Sequence, residues 1–220
     1  MFGQVPRFQW QGMATPDRHN RVRLGLNCLL IRNGSHCVLL DTGVGSKEPE
    51  EVRNVYGLGP SRLLKELRAL DLSPKDITDV VLTHLHFDHT GGATRLDRAG
   101  TPVPTFPLAT YYVQRAAWEE ANDPGERAVY NYHPDDFLPL NRSGQLQLLD
   151  GDADIAYGIK VRVTDSHTEG HQMILFDHGG ERLAFPGDLI PTPYHLQLAC
   201  IAASDKAPEN TLERKRELLR

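Results

Sequence analysis

Thr83-His84-Leu85-His86-Phe87-Asp88-His89-Thr90-Gly91-Gly92 is the stretch from which the rest of the chain can be read. It follows Asp79 to Thr83, a short run of the kind found in buried strands. At the mouth of a strand, alternation puts His84 and His86 on one side. The loop behind them can bring Asp88 and His89 round to the same spot. Imidazole and carboxylate together are donors for Zn, Fe or Mn rather than for Ca or Mg alone. A histidine-rich solvated loop is the bland alternative, and the HxHxDH spacing weighs against it. Gly91-Gly92 adds an approach free of bulky side chains.

Working outward, Leu24 to Ile31 and Cys37 to Leu40 read as strands flanking Asn33-Gly34, a dipeptide suited to a tight hairpin turn. Leu63, Leu64, Leu67 and Leu70 fall at helical spacing over Ser61 to Leu70. Ser73-Pro74-Lys75-Asp76 reads as the capped start of a further helix. A strand over Thr110 to Val113 precedes a helix over Gln114 to Ala121. Strands then dominate: Gln145–Leu149, Ile155–Tyr157, Lys160–Thr164, Met173–Asp177 and Arg182–Phe185, with a turn at His178 to Glu181. Pro208 to Arg220 reads as an amphipathic helix, and residues 1–20 as irregular. Strands, helices and strands again predict a layered α/β (α+β) sandwich rather than alternating βαβ units.

The 220 residues fit one domain, with 40% hydrophobic and 24% charged residues as in ordinary globular proteins. Lys and Arg number 24 against 29 Asp and Glu, a formal charge of -5, which argues against nucleic acid as a partner. No apolar run approaches the roughly 18–20 residues of a spanning helix, so no membrane partner is expected. No secretory leader is legible, and Cys28, Cys37 and Cys200 form no CxxC pair. A cytoplasmic setting is therefore expected.

Two later segments extend the histidine motif: Ser166-His167-Thr168-Glu169-Gly170-His171-Gln172 and Phe185-Pro186-Gly187-Asp188. With Leu40-Asp41-Thr42-Gly43 ahead of them, and in this order, the chain resembles the metallo-β-lactamase fold superfamily of metallo-hydrolases over almost its whole length. The resemblance implies a four-layered αββα sandwich with two divalent metal ions, zinc first and iron or manganese as alternatives, at one edge between two sheets. His84, His86 and His167 would hold the first metal, Asp88 and His89 the second, and Asp188 would bridge them. Asp41 would stand behind a ligand histidine and orient it, although it also reads as a turn-capping aspartate. His171 is expected to be structural or to stand behind the metal rather than to ligate it. His19, His36, His133 and His178 are expected on the surface. Asp88 could also pass a proton to a leaving group. Phe2, Phe8 and Trp10, with Tyr194 and His195, could line a substrate pocket, with core packing as the plainer reading.

The chain departs from the family pattern in two places. Dinuclear members supply one more histidine to the second metal near the C-terminus, whereas His195 is the only histidine after Asp188. The second site is thus one protein ligand short. The 220 residues read as a single domain lacking the first strand and the C-terminal segment with that ligand. Acyl-homoserine lactonases of this fold often carry tyrosine three residues after the bridging aspartate, where this chain has Pro191. The run Asp188 to Thr192 and the later Asp205 to Leu219 look closer to the branch with methyl parathion hydrolase and related lactonases. The function implied is hydrolysis of an ester-type bond in a small molecule by metal-bound hydroxide. The bond would be a lactone, carboxylic ester, thioester or phosphotriester. Alternatives are a mononuclear iron dioxygenase, a nuclease, which the acidic balance opposes, and a catalytically impaired metal-binding remnant. A homodimer is compatible with the sequence, which carries no sign of oligomeric state.

Overall fold

Alternation along neighbouring strands sets the layers. In the computed structural model, which describes residues 1–156 and 158–220, Leu29–Asn33 (β1) and His36–Leu40 (β2) form an antiparallel hairpin. Cys37 and Leu39 of β2 enter one buried cluster, and Val38 and Leu40 enter another. This is the period-2 pattern of a strand buried on both faces. Asp79–Val81 (β3) repeats it, with Val80 on one side and Val81 on the other. Thr94–Leu96 (β4) and Pro102–Pro104 (β5) make a separate ribbon. Thr110–Gln114 (β6) and Leu146–Leu149 (β7) complete a five-stranded sheet, order β1-β2-β3-β6-β7, parallel from β2 to β7. Ala153–Ala156 (β8), Ile159–Val163 (β9), Gln172–His178 (β10) and Glu181–Phe185 (β11) form an antiparallel sheet, order β11-β10-β9-β8.

The helices are Arg7–Trp10 (α1), Glu50–Tyr56 (α2), Leu63–Ala69 (α3), Phe87–Thr90 (α4), Arg115–Asn122 (α5), Pro134–Arg142 (α6) and Pro208–Leu218 (α7). Leu67 of α3, Ala117 of α5 and Phe137 and Leu140 of α6 join Val80, Tyr111 and Val113 in one cluster, so helices cover the outer face of the five-stranded sheet. Between the sheets, Val38, Leu40 and Val81 meet Ile159, Val161 and Ile174. Each such aliphatic side chain contributes about 1.5–3 kcal/mol on burial. α7 packs against Gly187–Leu189, the turn after β11. The layered α/β sandwich expected from the sequence is the one found. Cys28, Cys37 and Cys200 are free thiols, and no helix among the described residues is long and apolar enough to cross a membrane.

Strand direction places the motifs. Parallel pairing of β2 with β3 puts Asp41 and Thr83-His84 at the same end of the first sheet. In the second sheet β9 and β11 both run antiparallel to β10. Their ends, which lead to His167 and Asp188, therefore lie beside the start of β10, where His171 is found. Hydrogen bonds stitch the two sheets there: Gln172 N donates to Thr83 O (2.9 Å), and Gln172 Nε2 to Leu82 O (2.8 Å). Gln114 Nε2 donates to Gln172 Oε1 (2.8 Å).

Local departures from the sequence reading have simple causes. The hairpin loop is Gly34-Ser35, because Asn33 pairs with His36 and Gly34 takes the positive φ of 59°. Residues 24–28 stay irregular, so the first strand begins at Leu29. Ser73 to Asp76 closes a turn instead of starting a helix. Asp76 Oδ2 accepts from Ser73 N (2.7 Å) and Oγ (2.6 Å), and the fully buried Ile77 leads straight into β3. The expected strand at Ile155–Tyr157 is found over Ala153–Ala156, and Tyr157 lies outside the described residues. α1, α2 and α6 were not expected. α6 tolerates an internal Pro139 because the Asp135 carbonyl that a proline cannot satisfy accepts from Thr94 Oγ1 at 2.7 Å.

Two glycines separate clash from conformation. A Cβ on Gly91, whose φ is an ordinary -56°, would collide with the Val44 carbonyl. A Cβ on Gly34 would meet open space but keep the left-handed φ. Gly91→Ala should cost about 2 kcal/mol or more, and Gly34→Ala about 1 kcal/mol. Urea titration of both variants checks the order, and equal costs would refute the account of the Gly91 contact.

Candidate metal centre

The end of β3 delivers Thr83 and His84 into the space between the sheets, and α4 follows at once with Asp88 and His89. His84 is wholly buried. Thr83 has a single hydroxyl proton, and Asp41 Oδ2 takes it at 2.9 Å, so Thr83 Oγ1 accepts from His84 Nδ1–H at 2.9 Å. That choice of tautomer leaves His84 Nε2 with a bare lone pair. Nε2 is buried and has no hydrogen-bond partner.

The surrounding side chains aim at the same space. His86 Nδ1 lies 3.1 Å from His167 Nε2, and donor atoms of His84, His86 and His167 fall within 4.8 Å of one another. His84, His89 and Asp188 form a second such group. Asp188 spans the two, with Oδ1 3.2 Å from His89 Nε2 and Oδ2 3.3 Å from His167 Nε2. Asp88 Oδ2 stands 3.9 Å from His89 Nε2. Two imidazole nitrogens facing each other at 3.1 Å gain nothing from one another unless a proton or a cation lies between them. The donor set and the orphaned Nε2 both fit cations with nitrogen and oxygen ligands. The first group would supply three side chains, and the second, which shares His84 with it, adds His89 and Asp188.

Behind the donors stand groups that orient them. Asp41, buried and held at a φ of 51°, accepts from Thr83 N (2.8 Å), Thr83 Oγ1 and His89 Nδ1 (2.7 Å), which frees His89 Nε2. Asp205 does the same for His167. Its Oδ1 accepts from Nδ1 at 2.8 Å and its Oδ2 from Thr211 Oγ1 on α7 at 2.8 Å. His171 has both nitrogens engaged, Nδ1 to Thr164 Oγ1 (2.6 Å) and Nε2 accepting from Asp188 N (3.1 Å). Tyr132 packs edge-on against His86, with centroids 4.9 Å apart. Asp205 and Tyr132 carried no signal in the sequence. Asp205, three residues before Pro208, looks like any acid ahead of a helix.

Electrostatics divides the histidines. Burial and the neighbouring imidazoles hold His84 and His86 well below the usual histidine range, and burial takes His171 down to about 3. Burial opposes the charge on His89 and His167 too, but Asp188 and Asp41 hold His89 well above that range. Asp188 and Asp205 raise His167. Asp188 is resisted by burial and still held below the carboxylate range by His89 and His167. Burial raises Asp88, with Asp188 adding to the shift and His89 opposing it.

A cleft of about 390 Å³ opens onto Asp88, His89 and Asp188, lined by Leu24, Leu26, Cys28, Leu183, Phe185 and Ile190 among others. No Lys or Arg is among its described lining residues. Of the aromatic residues expected at a pocket, Phe2 and Trp10 line a separate, smaller cavity of about 210 Å³. Phe8 is 72% exposed on α1. Phe2 stacks on Trp10 (5.2 Å) and His195 (5.6 Å) and sits near Tyr194 (6.2 Å). His195 has both ring nitrogens engaged, by Thr192 Oγ1 (2.7 Å) and Met1 O (3.1 Å). His133, expected on the surface, pairs with Glu48 at 2.9 Å and stacks on Phe87.

Comparison with known proteins agrees with this geometry. The chain is 28% identical over 166 residues to an N-acyl homoserine lactonase of a Bacillus species, a match covering 68% of this chain and 57% of the relative. It thus spans little more than half the length of that relative. A solved structure of a probable metal-dependent hydrolase from Staphylococcus aureus superposes with a TM-score of 0.92 at 29% identity, covering all of this chain and 78% of the other. The dizinc quorum-quenching lactonase AidC, solved with its product N-hexanoyl-L-homoserine, shares the fold with a TM-score of 0.70 at 20% identity, over 89% of this chain and 67% of that one. The model of the metallo-beta-lactamase superfamily matches residues 22–219, and the chain belongs to that superfamily.

Proposed function

We propose that this chain is the metal-binding core of a hydrolase that cleaves an ester-type bond in an uncharged small molecule with two divalent cations, zinc first. The observation that carries this reading is His84 Nε2, a buried nitrogen without a partner at the focus of His86, His167, His89 and Asp188. His84, His86 and His167 would hold one cation, Asp88 and His89 the other, and Asp188 both. Cations bound there would polarise the oxygen of the scissile group and bring the pKa of water down to about 7.

The chain's own groups support the rest. Asp41 and Asp205 hold His89 and His167 by Nδ1, so that each presents Nε2 inward. Asp88 faces the cleft beside His89, where a carboxyl released from the cation is placed to pass a proton to the leaving group. Leu24, Leu26, Leu183 and Ile190 offer the substrate an apolar rim. No Lys or Arg among the described lining residues offers an anionic group a partner. The lactonase relatives favour a lactone with an alkyl or acyl tail. The further donors beside the first group, His89 and Asp188, favour hydrolysis over single-iron oxygen chemistry.

Elemental analysis of protein purified without chelator should find about two zinc ions per chain. His84→Ala and His167→Ala should lower that count and His178→Ala should not. Equal content in all three variants would sink the ligand set. With metal loaded, kcat/KM for a neutral acyl-substituted lactone should exceed that for an anionic phosphomonoester by at least ~10-fold. The reverse order, or oxygen uptake by an iron-loaded chain, would overturn the proposal. Asp205→Asn should weaken zinc binding roughly 10–100-fold in chelator competition, and Thr211→Val less. An unchanged affinity in Asp205→Asn would remove that carboxylate from the site.

A further inference from the structure

A second cluster of buried ionisable side chains lies outside this centre, where the Lys47-Glu48 loop meets the start of α6. Lys47 Nζ pairs with Asp136 Oδ1 at 2.9 Å and donates to the carbonyls of Gly91 and Thr94. All three of its protons are thereby used. His133 Nδ1 lies 2.9 Å from Glu48 Oε1, and its ring stacks on Phe87 with centroids 4.9 Å apart. Two oxygens remain unserved. Glu48 Oε2 and Asp136 Oδ2 are buried without a hydrogen-bond partner among the described residues, on side chains only 3% and 1% exposed.

Buried carboxylate oxygens without donors are costly, and charge adds to the cost. Lys47 faces only Asp136 of the two carboxyl groups, and burial raises the Asp136 carboxyl. One donor atom each from Glu48, His133 and Asp136 lies within 4.8 Å of the others. Two features of the His84 centre recur here: buried atoms without a partner, and imidazole mixed with carboxylate. His133, 30% exposed, gives a path from solvent. A proton shared by Glu48 Oε2 and Asp136 Oδ2 is the competing account, and a metal count separates the two.

We propose that Glu48, His133 and Asp136 bind one divalent cation of the first transition row, a site distinct from the His84 centre. The donor chemistry, two carboxylates and an imidazole, suits Mn2+ or Zn2+. Bound there, the ion ties the Lys47-Glu48 loop to α6. Lys47, through Gly91 and Thr94, ties both to the turn that follows α4. The role is structural, and it holds whether or not the His84 centre is hydrolytic.

Protein stripped with EDTA and dialysed against Mn2+ provides the test, with bound metal counted by elemental analysis and Mn2+ spectra taken by electron paramagnetic resonance. Glu48→Gln and His133→Phe should each bind about one Mn2+ fewer than the parent chain. In a His84→Ala/His167→Ala chain, Mn2+ should still raise the thermal midpoint, and adding Glu48→Gln should abolish the rise. His133→Phe keeps an aromatic ring against Phe87 and leaves Lys47–Asp136 intact, so it serves if Glu48→Gln fails to fold by circular dichroism. Equal Mn2+ counts in the parent and the folded variants overturn the proposal, which is the result if only a proton or a water fills the cluster.

Discussion

The structure turns on the buried carboxylate of Asp41. It sits at the end of β2 in the left-handed region, a conformation that costs a non-glycine residue of order 1–3 kcal/mol. Three hydrogen bonds hold it there, two from Thr83 and one from His89. Bonds to an ionised carboxylate are stronger than neutral ones, and without them the Thr83 amide would lose its partner. One side chain therefore joins β2 to the end of β3. By taking the Thr83 proton it also decides which nitrogen of His84 is free.

Around that anchor the protein gathers groups that repel one another. His84, His86, His89, His167 and His171 are packed into one space with Asp88 and Asp188. Burial favours neutral imidazoles, whereas the carboxylates favour charged ones. The outcome differs by residue because the carboxylates lie nearer His89 and His167 than His84. Under the proposed reading, cations replace those protons and relieve an arrangement that packing alone does not favour. Asp205 extends the network to α7, so the last helix reaches His167 through Thr211.

The cleft beside this centre is built from a different part of the chain. Residues 24–28 pair with no strand, and with β11 and the segment after it they form the cleft wall. Their apolar side chains look like strand or core residues in the sequence, and the N-terminal aromatic residues, which read there as pocket or core, do not line this cleft. Phe2 instead packs against Trp10 and His195, satisfying the ordinary pull of aromatic burial.

Much of the site was legible because its chemistry is local. HxHxDH places four donors within six residues, and no fold is needed to see that imidazole and carboxylate at that spacing suit a metal. The strands on either side announced themselves by apolar alternation, and the family order of Asp41, His167 and Asp188 completed the centre. Other features depended on distance in space. Asp205 reaches His167 across 38 positions of sequence, Tyr132 reaches His86, and His133 finds Glu48 across 85. None belongs to a periodic or spaced pattern. Sequence by itself determined which residues carry the donor chemistry and that β2 and β3 are buried strands, since both are properties of neighbours along the chain. Tertiary structure alone decided which nitrogen each histidine presents, which carboxylates stay unpaired and what lines the cleft. Those depend on contacts between segments that only the packed sheets bring together.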